Sequence, residues 1–235
     1  MPLKKQAAKH ATKHSKGGDA ADGVVRVLIE QGKTRVFARA LDWPGWCRSA
    51  KTEALAIDAL HAYAMRYAVV ARAAGATLPS EPRIEVVERV PGDASTDFGA
   101  PHVIAHVDHE ELDDTERERW IAVLEACWAT FDAVASASGE ELRKGPRGGG
   151  RDRSKMIDHV LEAERAYASK LGVRLRAASH QDAPGTLANR VAVVAALRDR
   201  SASLAPTWPL RYWVHRSAWH VLDHAWEIAD KQIVP

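Results

Sequence analysis

Cysteine is scarce in this chain, with Cys47 and Cys127 far apart in sequence and in different expected elements. Such sparse, separated thiols are expected to be reduced, which excludes a disulfide framework. Net charge is also nearly lacking, at +2. A balance so close to neutral gives no overall case for nucleic acid or an anionic membrane as partner. The N-terminus has no apolar run of the kind a signal peptide needs. No uncharged apolar stretch reaches the length that spans a bilayer. The expectation is a soluble cytoplasmic protein.

What is present is 235 residues with 46% hydrophobic content, enough for one large domain or two small ones with a real core. Residues 1–22 alternate Lys4, Lys5, Lys9, Lys13 and Lys16 with Ala, Gly and Ser, and have no large apolar residue after Leu3. They cannot offset their ordering entropy and are expected to form a disordered basic tail.

Residues 23–100 read as a small α/β unit. Val24, Val25, Val27 and Ile29 suggest a strand, and Thr34–Leu41 alternates like its hairpin partner. Asp42–Cys47 reads as a loop. Thr52 can cap one helix running to about Ala74, ended by Gly75. Ile84–Val90 reads as a third strand, giving β-β-α-β. The stretch Val36-Phe-Ala-Arg-Ala-Leu-Asp-Trp-Pro-Gly-Trp46 followed by Lys51-Thr-Glu-Ala-Leu-Ala-Ile-Asp-Ala-Leu60 resembles the HicB-like antitoxin domain. The resemblance implies a unit that pairs with a toxin or binds nucleic acid through residues 1–90, or serves as an appendage. A nucleic-acid binder should place Arg26, Lys33, Arg35 and Arg39 on one continuous surface with aromatic platforms.

Residues 91–112 read as an extended linker carrying His102, His106 and His109, which would not converge by themselves. From 113 onward the pattern is helical. Thr115-Glu-Arg-Glu118 reads as a capping box before Trp120, Ile121, Leu124, Trp128 and Phe131. Cys127 in that helix is expected as a small core residue. A basic, glycine-rich loop follows, in which Lys144, Arg147 and Arg151 can hold a carboxylate or phosphate at a helix N-terminus. It lacks the Gly-Lys-Ser/Thr ending of a nucleotide P-loop. Helices are then expected over 154–171, 183–203 and 211–231. Together, residues 101–235 describe a four-helix bundle, so the fold class expected is α+β.

The last of these helices contains no glycine and starts just after Pro209, where proline is tolerated. His220 and His224 are four residues apart on it, so both project from one face. The second helix of the bundle offers His159. Three imidazoles from two inward faces make a candidate divalent-metal set; neutral core histidines are the alternative. Glu227, one turn after His224, is a candidate to orient it, or a surface carboxylate. Asp223 is expected to face solvent.

The segments Asp158-His-Val-Leu-Glu-Ala-Glu-Arg-Ala-Tyr167 and Trp219-His-Val-Leu-Asp-His-Ala-Trp-Glu-Ile-Ala-Asp230 resemble the DinB/YfiT-like superfamily of metal-binding bacterial four-helix bundles. The resemblance implies that His159, His220 and His224 hold the ion, with zinc the first expectation and nickel, manganese or iron the others. It also implies a transferase that uses a low-molecular-weight thiol of the mycothiol or bacillithiol type against a small electrophile. No catalytic residue beyond the metal centre is assigned. Two alternatives stay open: a non-catalytic regulator or antitoxin-like binder with a structural or sensory metal, and a metal-water hydrolase. Eight tryptophans exceed what one small core usually needs, which suggests a homodimer. No membrane partner is expected.

Overall fold

The computed structural model describes residues 23–145, 149–199 and 206–233. The basic tail of residues 1–22 and the loop residue Arg147 lie outside them. The architecture is α+β: a mixed four-stranded sheet followed by a helical layer.

The N-terminal unit runs β1 (Val24–Gln31), β2 (Val36–Ala40), β3 (Cys47–Ala50), α1 (Glu53–Ala62), α2 (Ala64–Ala73) and β4 (Arg83–Pro91). It is therefore β-β-β-α-α-β, not the β-β-α-β order read from sequence. The added strand, Cys-Arg-Ser-Ala, has no alternation of its own. It is a strand because its backbone pairs with β2, from Val36 opposite Ala50 to Arg39 opposite Cys47. The expected single helix is capped by Thr52, which accepts from the Leu55 amide at 3.3 Å, but it divides at Tyr63, where φ is −93° and ψ is 0°.

Strand order is β3-β2-β1-β4, with β2 antiparallel and β4 parallel to β1. The parallel return is made by α1 and α2. Val25, Val27, Ile29, Val36, Ala38 and Ala40 join the main core with Leu60, Tyr67 and Val70 of those helices. On the opposite face, Leu28 and Leu41 are covered by Ala105, with Val107 packed alongside. The linker is thus structured in part. It holds α3 (Ala94–Phe98), capped by Asp93, and a single 3-10 turn (His106–His109).

The helical layer is α4 (Asp114–Ala137), α5 (Arg153–Leu171), α6 (Ala183–Arg198) and α7 (Leu210–Lys231). Helix α4 starts earlier than the expected capping box: Asp113 is the cap, accepting from the Glu116 amide at 2.9 Å. Gly172, at φ 90°, ends α5 as expected. Asp182 caps α6 by accepting from the Gly185 amide at 2.9 Å. Helix α6 ends at Arg198, and residues 200–203 of the expected helix lie outside the described residues.

Helix α7 is the centre of the molecule. Val214, Ala218, Val221, Leu222, Ala225, Trp226 and Ile228 are buried in the main core with residues of both the sheet and α4. By length and composition, α4 is a helix able to cross a membrane, but its Trp120, Leu124 and Phe131 are packed in that same core. Seven tryptophans are buried and Trp208 is half-buried, so most of this aromatic content lies in the interior.

Candidate metal centre

Helices α5 and α7 pack on each other and bring three imidazoles together. His159 comes from α5; His220 and His224 come from successive turns of α7. One ring nitrogen from each lies within 4.8 Å of the others. The ring centroids are 5.1 Å (His159–His220), 4.9 Å (His159–His224) and 4.6 Å (His220–His224) apart. Donors sharing one ion at bonds of about 2.1 Å must stand a little closer than the outer limit of this set, a shift within side-chain reach.

Burial disfavours the charged form of two of the donors, His159 and His220. Burial holds the His220 imidazolium well below its usual range, with His224, His159, Arg216 and Arg151 acting in the same direction. Burial, helped by His224 and Arg151, also lowers His159. Neutral imidazoles are the metal-binding form. Among the described residues no hydrogen bond reaches a ring nitrogen of His159 or His220. His224 is different: its Nδ1 donates to Glu227 Oε2 at 2.9 Å. That bond leaves Nε2 as the lone-pair nitrogen, the arrangement by which a carboxylate fixes a ligand's tautomer. Glu227 Oε1 also accepts from Lys231 Nζ at 2.6 Å. The His224 bond, with Lys231 adding to it, holds the Glu227 carboxyl down to about 2 against its partial burial.

The surroundings are polar on one side and aromatic on the other. Tyr167 of α5 lies edge-on to His220, with centroids 5.7 Å apart, and Trp219 flanks it at 6.1 Å. Trp208 closes on Tyr167 at 5.5 Å. Arg143 secures the opposite end of α7. Its amide donates to the Lys231 carbonyl at 2.8 Å and its guanidinium to the Asp230 carbonyl at 2.7 Å. This anchors the start of the basic loop at the C-terminal end of α7. Sequence reasoning missed Tyr167, Trp219 and Arg216 as neighbours of the site. The signal available was the i, i+4 step from Arg216 to His220.

Other expected positions fall elsewhere. Lys144 is ion-paired with Asp152 rather than open to an anion. Arg151 is exposed and has no ion pair among the described residues; its charge is felt at His159 and His220. Asp223 does not simply face solvent: it accepts from Arg48 of β3 at 2.8 Å and ties α7 to the sheet. His102, His106 and His109 do not form a ligand set among the described residues. Cys47 is buried, which pushes its thiol up to about 12, and burial also raises Cys127, so both are inert.

Of the four cations that a nucleic-acid surface would need together, Lys33 and Arg35 are exposed, Arg26 is half-buried and Arg39 is buried. Arg39 is buried against Asp108 at 2.8 Å, and Arg26 is bonded to Asp42 at 3.0 Å through Nε. Arg35 donates to Ser49 at 3.2 Å. No protein-family model, curated protein or solved structure matches this chain.

Proposed function

We propose that this chain is a divalent-metal protein whose ion is held by His159, His220 and His224, and that it is a transferase joining a low-molecular-weight thiol to a small electrophile. In this reading α4–α7 form a DinB-like four-helix bundle, and the sheet with α1 and α2 is a HicB-like appendage. The observation that carries the metal is the convergence of three ring nitrogens within 4.8 Å. The thiol rests on the resemblance of the segments around His159 and His220.

The residues fit such an ion. Among the described residues two donors have no competing hydrogen bond, and the third has its tautomer set by Glu227. Three protein donors leave a coordination position open, as catalytic zinc sites do. A divalent ion supplies Lewis acidity that makes a bound thiol or water acidic near neutral pH. The chain's own groups do the rest. Glu227 orients His224, Tyr167 and Trp219 shield one side of His220 from water, and burial keeps His159 and His220 neutral.

The test is metal analysis of protein prepared without a polyhistidine tag, beside His159→Ala and His224→Ala. We expect about one ion per chain in the wild type and its loss in both variants, which is the stoichiometry of a single three-donor site. A wild-type protein that stays metal-free after exposure to Zn²⁺, Ni²⁺, Mn²⁺ and Fe²⁺ would sink the proposal. Consumption of a thiol with an electrophile, abolished by His224→Ala, then distinguishes the transferase from a sensory or structural site.

A further inference from the structure

Arg216 stands one turn before His220, so Arg216, His220 and His224 run down one stripe of α7. Its guanidinium carbon lies 4.7 Å from the centre of the Trp219 ring and 5.5 Å from that of Tyr167. These are the same two rings that flank His220. The cation and the imidazole therefore share one aromatic wall.

The bonding of Arg216 is incomplete. One terminal nitrogen donates to the Pro101 carbonyl at 2.8 Å. Among the described residues no carboxylate pairs with it, and the side chain is only half-buried. Neighbouring arginines differ: Arg48 is paired with Asp223, Arg211 with Glu116, and Arg190 with Asp132 and Glu164. Glu30 lines the same small cavity as Arg216, but its oxygens accept from Thr96 Oγ1 at 2.5 Å and from the amides of His102 and Val103 at 3.0 and 3.2 Å. The charge of Arg216 also reaches His220, where it disfavours the imidazolium.

An arginine set against two rings keeps its fork of donors pre-organised, and a partner matched to that fork is a carboxylate. We propose that Arg216 is a specificity-determining residue that binds the carboxylate of a ligand whose sulfur occupies the open position at the histidine centre. The inference rests on the metal reading above and narrows it: the thiol is a mercapto-acid, not a neutral or cationic thiol. Arg151, exposed and without an ion pair among the described residues, adds positive potential on the α5 side.

The experiment uses the full chain loaded with Co²⁺, whose visible absorption reports a sulfur ligand without any turnover. Three thiols are titrated: 3-mercaptopropionate, 2-mercaptoethanol and cysteamine. The wild type is expected to bind 3-mercaptopropionate about tenfold more tightly than 2-mercaptoethanol, the scale of one charge-assisted hydrogen-bonded pair. Cysteamine should bind most weakly. Arg216→Met should lose the preference while keeping Co²⁺ and its affinity for 2-mercaptoethanol; Arg216→Lys should keep part of it. Equal binding of the three thiols by the Co²⁺ protein overturns this inference alone. A preference that survives in Arg216→Met overturns it too, because the carboxylate would then be meeting the ion. Failure of the wild type to bind Co²⁺ removes the metal reading and this inference with it. Far-UV circular dichroism and Co²⁺ stoichiometry of Arg216→Met separate lost recognition from lost folding.

Discussion

At His224 a single hydrogen bond decides which nitrogen can face an ion. Glu227 takes the Nδ1 proton, and Lys231 holds Glu227 from the next turn. Carboxylates behind ligating histidines raise both their order and their basicity. Glu227→Ala should therefore weaken metal affinity by about tenfold to a hundredfold, measured by competition with a chelator. Unchanged affinity would reduce Glu227 to a partner of Lys231. His215 gives a second residue-scale expectation. It is fully enclosed, donates from Nε2 to the Leu41 carbonyl at 3.1 Å, and lies against Trp120. Burial, then Arg39, holds its imidazolium well below the usual value. Its folded form stays neutral where the unfolded chain takes up a proton. The contribution of His215 to stability is thus complete above about pH 6.5 and falls by about 1.4 kcal/mol per pH unit below it, until its folded value is reached, adding to the same-sign contributions of His220 and His159. Urea midpoints of metal-free protein between pH 7.5 and 5 should decline accordingly, and His215→Gln should flatten the slope by about one proton. A midpoint independent of pH would mean that His215 is protonated in place.

The sheet meets α7 closely at Gly45, in the turn between β2 and β3. Its φ is +91°, and an added Cβ would stand 2.9 Å from Leu222 Cδ1 and 3.1 Å from Ala218 Cβ. The turn therefore lies directly on α7. Gly45→Ala should lower stability by about 1–3 kcal/mol through overpacking, on top of the left-handed backbone. Gly75, at φ +74° with nothing within 4 Å, is the control: Gly75→Ala meets only the backbone term. Comparable losses in the two variants would show that the turn is not seated on the helix.

Legibility also divides at this scale. The helices of the C-terminal half were readable because their apolar residues repeat at 3.6, and β1 and β2 because theirs alternate. The His220–His224 pair was readable because helical spacing alone puts i and i+4 on one face. β3 was not readable, since its four residues become a strand only through long-range pairing. The break at Tyr63 carries no glycine or proline to announce it. The cap of α4 was misread because Asp113 and Thr115 are both good capping residues, and only the bond to the Glu116 amide decides between them. Arg216 escaped notice because its meaning depends on Tyr167, which arrives from another helix.

Across the whole molecule one continuous core runs from Val25 and Val27 of β1 through Trp120 and Leu124 of α4 to Ile228 of α7. Arg39–Asp108 and Arg48–Asp223 add charged ties between the sheet and the elements after it. A chain built this way should unfold in one cooperative transition, with tryptophan fluorescence, near-UV and far-UV circular dichroism coinciding. Two separated transitions would mean that the sheet unit and the helices are independent. Saturating metal should move that transition as a whole, by about 2.7 kcal/mol at a hundredfold excess over Kd.

Helix α7 follows every other described element in the chain, yet the sheet turn, α4 and α5 all pack against it. On the ribosome it is therefore the latecomer. Until it emerges, the apolar residues that will enclose Val214, Ala218 and Leu222 wait without their partner, a condition that favours chaperone capture or aggregation. Two of the three candidate metal donors arrive with the same segment. Ion loading thus cannot precede the synthesis of α7, and of these three donors a nascent chain halted before residue 210 offers His159 alone.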